Sequence, residues 1–437
     1  MSVQSLRQWP GVRGGCDHPR MKLDLGFVRR QFPAFAESSL SEQAFFENAG
    51  GSYPCAAVVS RLHEYYRRLK VQPYYAFPAS TEAGEWMDAA RARLAEYLGV
   101  TTDEVHFGPS TSQNTYVLAQ AFRALLEPGD EVIVTNQDHE ANSGSWRRLS
   151  AHGVTVREWR VDPHSGALDE AQLDRLLTER TRLLAFPHAS NVVAHINPVA
   201  RIAARARAAG VLTVVDGVAW APHGLPDVAQ LGADVYLFSL YKTYGPHQGL
   251  MVVRADLLGR LRNEGHYFND AEVSKRLVPA GPDHAQVAAA RGIAEYFDAL
   301  DAHHATAAAG AAPNGAAARA ERVRQMLRSA ELPLLATLLD YLGARRDLRV
   351  LGPVSAQHRA ATVSFVPEAR DPGEVVSALA ERGFMAGNGN FYAVRLLEAM
   401  RVSPARGAVR LSLVHYNSPA EVAGVIDALD RIFAGAG

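Results

Sequence analysis

The sequence predicts an α/β fold: a large, doubly wound, mostly parallel sheet with helices on both faces, followed by a smaller α+β domain. Three observations carry that expectation. Short β-type runs alternate with helical stretches from Ala44 onward, the pattern of strand–helix–strand units around a parallel sheet. The chain has 437 residues, 48% of them apolar, enough for a large core in two domains. An Ala-rich stretch at 302–320, broken by Gly310, Pro313 and Gly315, divides the long alternating region from a shorter one.

The first 22 residues read as an irregular leader, because Pro10, Gly11, Gly14, Gly15 and Pro19 interrupt any period. Residues 1–45 are expected to form that leader and a helix packing with the small domain. Residues 46–300 then form the large domain, and 301–437 the connection and the small domain. In the large domain the expected strands are Glu131 to Thr135, Val154 to Trp159, Leu183 to Phe186, Val211 to Val215 and Val235 to Phe238. Ala171 to Leu177 and Val199 to Ala209 are expected as helices between them. Beyond the connection, a helix from Glu321 to about Asp340 is expected to be interrupted near Pro333, whose ring cannot continue a hydrogen-bonded turn. Ala361 to Val366, a helix from Pro372 to Gly383, and Ala408 to Val414 complete the small domain.

Composition excludes several function classes. A net charge of -1 and a pI near 7.0 give no basic field for nucleic acid. The apolar runs fall far short of the roughly 20 residues that span a bilayer, and no apolar core follows the N-terminal arginines to make a secretory signal. Two cysteines, Cys16 and Cys55, rule out a disulfide framework and fit a reducing cytoplasm. Cys55 follows a proline at a loop-to-helix junction and reads as a buried structural thiol.

The chemistry starts with two residues. TVVDG places Asp216 at the end of a buried-type strand, and FSLYKTYG places Lys242 after the next one. Strand ends are where ligands bind in open α/β sheets. An amine and an acid at two such ends suit pyridoxal 5′-phosphate (PLP). Lys242 would hold its aldehyde as a Schiff base, and Asp216 would keep its pyridine nitrogen protonated.

Five further segments accompany this pair: FENAGG from Phe46, GPSTSQNT from Gly108, QDHEAN from Gln137, HASNVVAHINPV from His188 and RLSLVHYNSPAEV from Arg410. In this order they resemble the class V aminotransferase family, the fold-type-I PLP enzymes that include cysteine desulfurases and selenocysteine lyases. The resemblance runs from about Phe46 to Leu429 and implies a seven-stranded sheet in the large domain. It also implies a homodimer and an amino-acid substrate, and calls for no metal. By the same resemblance, Ser110, Thr111 and Ser112 open the helix that cradles the phosphate. His139 stacks on the pyridine ring, Asn191 contacts the phenolic-oxygen side, and Ser239 and Tyr241 complete the cofactor site. Asn48, Ala49 and Gly50 lie at the substrate, and Arg410 clamps its α-carboxylate.

The sequence also departs from the family. Cysteine desulfurases carry a mobile cysteine thiolate in the loop before the carboxylate-binding arginine, and here that loop reads AGNGNFYAV with Tyr392 at the cysteine position. Ala219 stands where the family has a glutamine, Tyr241 where it has a histidine, and AGPDH from Ala280 where a partner-subunit threonine is expected. The desulfurase-like branch without the cysteine includes natural-product C–S lyases. The expected activity is therefore β-lysis of a C–S bond in cysteine or an S-substituted cysteine, giving thiol, pyruvate and ammonia. Phe391 and Tyr392 either face the S-substituent or serve as core aromatics. An aminotransferase, an epimerase or a decarboxylating oxidative deaminase on the same scaffold is the alternative.

Overall fold

The computed structural model describes residues 23–305 and 315–434. The expected leader, Cys16 and the middle of the Ala-rich connection lie outside the described residues. The large sheet has seven strands: β1 (Val105–Gly108), β2 (Glu131–Thr135), β3 (Thr155–Trp159), β4 (Thr181–Pro187), β5 (Leu212–Asp216), β6 (Val235–Ser239) and β7 (Gly249–Val253). Their order across the sheet is β1-β7-β6-β5-β4-β2-β3. Every neighbouring pair is parallel except those made by β7, which runs against both β6 and β1.

The five expected strands are all present, within a residue or two at each end. β6 and β7 are buried along their whole length, as strands covered by helices on both faces must be. At about 1.5–3 kcal/mol per fully buried aliphatic or aromatic side chain, this stack dominates the stability of the domain. β1 and β7 were not foreseen.

The small domain is a four-stranded antiparallel sheet of β8 (Leu348–Leu351), β9 (Thr362–Pro367), β10 (Gly387–Gly389) and β11 (Ala408–Ser412), in the order β10-β11-β9-β8. The helix at Pro372–Ala380 packs on it, and the terminal helix Pro419–Ala434 packs against that helix. A separate two-residue parallel pairing of Ala44–Phe45 with Phe384–Met385 ties the chain entering the large domain to the small domain. The short helix Leu25–Arg30 also reaches the small domain, through Arg29 to Glu421 at 2.6 Å and to the Tyr416 carbonyl at 3.0 Å.

Two expectations require correction. No interruption occurs at Pro333: a single helix runs from Ala316 to Ala344 with the proline inside it. An interior proline forfeits one hydrogen bond, about 3 kcal/mol. Leu334, Leu335, Leu338, Leu339 and Leu342 bury the turns that follow and hold the helix on course. The Ala-rich connection is also less irregular than expected, since its described ends at 302–305 and 316–320 are helical. Among the described residues no helix is long and apolar enough to cross a membrane.

Candidate active site

The ends of β4, β5 and β6 open on one edge of the large sheet, facing the N-termini of two helices, α1 (Thr111–Phe122) and α2 (Glu140–Arg147). A cavity open to solvent lies there. Its walls are Ser110, Thr111 and Ser112 from the start of α1; His139 and Ala141 from the start of α2; Pro187 at the end of β4; and Ala189 and Asn191 beyond it. Asp216 ends β5, with Val218 and Ala219 beyond it, and Ser239 ends β6, with Tyr241 and Lys242 beyond it. All nine expected cofactor-site residues therefore line one cavity.

Lys242 sits in the turn that reverses β6 into β7, held by Thr243 Oγ1 donating to the Ser239 carbonyl at 3.1 Å. Burial of its amine and the nearby Arg410 charge lower its pKa from 10.5 to about 8, partly offset by Asp216 and Glu47. Such an amine is neutral in a usable fraction near neutral pH, as an aldehyde-capturing or proton-removing group must be.

Asp216 ends β5 and is buried. Its Oδ1 accepts the Val218 backbone N–H at 2.9 Å. Burial pushes its pKa up to about 6, against the Val218 hydrogen bond and Lys242. A buried carboxylate with only one hydrogen bond recorded is an incomplete pair awaiting a cationic or N–H partner.

His139 caps α2, its Nδ1 accepting the Ala141 N–H at 3.1 Å. The proton is thereby placed on Nε2. Burial, with help from Lys242 and Arg410, lowers the pKa to about 4, so the ring is neutral. At α1, Thr111 and Ser239 share a hydrogen bond of 2.7 Å and Ser110 Oγ accepts the Gln113 N–H. The first turn of α1 leaves backbone N–H groups aimed at the cavity, where the helix dipole favours an anion. Gly249 lets β7 pass this turn, since a Cβ there would stand 2.4 Å from the Ser110 carbonyl carbon and 2.5 Å from the Thr111 nitrogen. Tyr241 is braced by His247, the two rings stacked 4.5 Å apart. Asn191 donates its amide to the Phe391 carbonyl at 2.8 Å, which leaves Oδ1 buried and unpartnered. What it offers the cavity is an acceptor.

These groups fit pyridoxal phosphate: an amine for the aldehyde, a buried acid for the ring nitrogen and a helix N-terminus with hydroxyls for the phosphate. The unfilled Asn191 acceptor and the glycine-made clearance at α1 mark space shaped for a polar ligand.

The expected substrate residues form a second layer beyond the cavity wall. Arg410, on β11, is buried, with Nη1 donating to the Asn191 carbonyl at 3.3 Å and its guanidinium 3.9 Å from the Phe391 ring centroid. Tyr392 is 71% exposed and tilts over His139 with ring centroids 5.2 Å apart. It is therefore no core aromatic, and Phe391 covers the arginine. Both residues have positive φ, 51° and 56°, a costly conformation for bulky side chains. The Glu140 N–H, donating to the Tyr392 carbonyl at 2.7 Å, and Asn191 hold the loop in it.

The 48–50 loop is held by hydrogen bonds within the chain. Asn48 is buried and donates to the Ser412 carbonyl at 2.8 Å and the Phe45 carbonyl at 3.2 Å, while accepting from the Tyr416 hydroxyl. Ala49 N–H donates to Ser412 Oγ and Gly50 N–H to the Glu47 carbonyl. The bonds to Ser412 and Tyr416 tie Asn48 and Ala49 to the small domain. Glu47, in the same FENAGG segment, is the residue that reaches Arg410, and sequence reasoning missed it. An acid inside a motif placed at the substrate was the available signal.

Cys55 caps the helix Ala56–Glu64, is buried, and its Sγ contacts the Gly292 carbonyl at 3.4 Å. Burial pushes its pKa up to about 12. Among the described residues no thiol faces the cavity.

Residues 44–425 match the Aminotransferase class-V family. An aminotransferase-like protein of Gibberella zeae is 35% identical over 417 residues, covering 93% of this chain and 97% of that protein. A probable cysteine desulfurase of Pseudomonas putida is 30% identical, covering 92% and 97%. In structure, a cysteine desulfurase from Escherichia coli superposes with a TM-score of 0.78 at 24% identity, covering 94% and 98% of the two chains.

Proposed function

This chain belongs to the class-V aminotransferase family, whose members depend on pyridoxal 5′-phosphate, and from that premise we propose that it is a C–S β-lyase acting on cysteine or an S-substituted cysteine. The bound cofactor supplies an electron-accepting ring beside the substrate Cα. The chain's own residues do the rest. Lys242 Nζ holds the aldehyde between turnovers and takes the Cα proton during them, a task its lowered pKa suits. Asp216 keeps positive charge on the ring nitrogen, and neutral His139 packs against the ring without competing for that charge. Arg410 receives the α-carboxylate and fixes which Cα bond faces the base. Ser110, Thr111, Ser112 and Tyr241 hold the phosphate. Phe391 and Tyr392 offer an apolar surface to the group on sulfur.

The overall reaction converts R–S–CH2–CH(NH3+)–COO− and water to R–SH, pyruvate and ammonium. One observation carries the choice of sulfur elimination with a free thiol as product. Tyr392 occupies the loop over His139, and the described cysteine is buried elsewhere with its thiol held neutral. Among the described residues, sulfur leaving Cβ then finds no protein thiolate to receive it. The same reading expects a homodimer working in the cytoplasm.

The test is to incubate the cofactor-loaded enzyme with S-methyl-L-cysteine and analyse the products. Methanethiol, pyruvate and ammonia in equal amounts support the proposal. A keto acid that retains sulfur would sink elimination and establish transamination, the second reading, which the 35% identity to an aminotransferase-like protein favours.

A further inference from the structure

The guanidinium assigned to the substrate carboxylate already holds a carboxylate of its own chain. Glu47 Oε1 lies 2.5 Å from Arg410 Nη2. The arginine side chain is 4% exposed and that of Glu47 27%, so the pair stands at the edge of a desolvated site. Neither partner is fully satisfied: Glu47 Oε2 and Arg410 Nε are both buried without a hydrogen-bond partner. The remaining contacts of the arginine are the Asn191 carbonyl on Nη1 and the Phe391 ring on its face.

The backbone is built to admit this carboxylate. A Cβ at Gly50 would stand 2.7 Å from Glu47 Oε1, and one at Gly387 would stand 2.7 Å from Oε2. Gly387 is also the cross-strand partner of Arg410 between β10 and β11. Two glycines therefore clear space for the acid directly beside the arginine. A buried charge pair with an unpaired oxygen and an unpaired N–H is a poor stabilising device, because desolvation offsets the attraction unless every polar atom is matched. Its placement makes better sense as a device for recognition.

We infer that Glu47 determines specificity at the carboxylate clamp, as a resident carboxylate with which any incoming carboxylate must share Arg410 or which it must displace. This rests on the proposed role of Arg410. With Glu47 in place, a small monocarboxylate brings a second negative charge to one guanidinium and gains little. A carboxylate is retained only when the rest of its molecule is anchored too, as an α-amino acid would be through its amine at the cofactor aldehyde that Lys242 gives up. The clamp thereby rejects free carboxylic acids, including a keto-acid product once its nitrogen has gone.

The experiment uses cofactor-loaded enzyme and propionate, which has the carboxylate but no amine. Binding is measured by calorimetry for wild type, Glu47→Gln, Glu47→Ala and Arg410→Gln. Removing the resident charge should tighten propionate binding on the order of tenfold, since like charges crowded at a desolvated site oppose each other strongly. A gain of affinity cannot come from a damaged fold. Glu47→Ala must show the same gain without requiring an amide to fit between the glycines. Arg410→Gln should abolish binding. Unchanged or weaker binding in both Glu47 variants, with binding lost in Arg410→Gln, overturns the inference and leaves the arginine clamp standing. Undiminished binding in Arg410→Gln overturns the clamp itself.

Discussion

Replacing Asp216 by Asn should stabilise the cofactor-free protein while it disables the loaded enzyme. The substitution keeps the shape of the side chain and an oxygen for the Val218 N–H at 2.9 Å, so it removes charge and little else. In the cofactor-free fold, burial raises the Asp216 pKa from 3.8 to about 6. At about 1.4 kcal/mol per pKa unit, keeping this carboxylate ionised in the fold costs about 3 kcal/mol. The folded pKa lies above the unfolded one, so the folded state binds the proton more tightly between those values. The stability contribution of the protonated group is complete below pH 3.8 and is lost as the pH rises to about 6. Asp216→Asn should therefore raise the melting temperature of the cofactor-free protein at pH 8 and leave it unchanged near pH 4. With cofactor, a charge-assisted hydrogen bond worth about 1.5–3 kcal/mol is lost, which lowers the rate of Cα proton removal about 10- to 100-fold. NMR in D2O reads that rate as loss of the Cα–H signal of an amino acid. Full-rate exchange in the Asn variant, or a fall in melting temperature at pH 8, would refute the assignment of Asp216 to the ring nitrogen.

Two more expectations come from the same cavity. The rate at which cofactor-free protein captures pyridoxal phosphate, followed by the near-visible band, should rise with pH to a midpoint near the Lys242 pKa of about 8. Arg410→Gln should raise that midpoint by removing a positive neighbour, and Asp216→Asn should lower it by removing a negative one; shifts in the reverse directions contradict the arrangement. Gly249→Ala should weaken cofactor binding at least about tenfold, because its Cβ meets backbone atoms of Ser110 and Thr111 that cannot swing aside. Gly343→Ala, in the long helix with nothing within 4 Å of the added Cβ, should leave binding unchanged and gain a few tenths of a kcal/mol or more in stability.

Much of this was legible in the sequence because strands buried on both faces are written as continuous apolar runs, and VLTVV and VYLF are such runs. Asp216 and Lys242 were legible for the same reason, each following a run that could only be a strand. β1 escaped because VHFG is four residues long and carries His106, buried here with both ring nitrogens unpartnered. β7 follows the turn-rich GPHQG directly, and its antiparallel pairing breaks the strand–helix rhythm. The run through Pro333 was illegible because tertiary burial of the following leucines, which no local signal reports, outweighs the missing hydrogen bond. Glu47 was missed for a physical reason: which of two adjacent side chains reaches Arg410 depends on contacts made more than 360 positions away, with Asn48 on Ser412 and Glu47 on Arg410.

The most direct measurement is to reduce the yellow holoenzyme with borohydride, digest it and locate the pyridoxyl group by mass spectrometry. The account requires a single modified lysine, at position 242, and no pyridoxyl label on the Lys242→Ala chain after the same reduction. A label on Lys22, Lys70 or Lys275, or a pyridoxyl label on any lysine of the alanine variant, would contradict it.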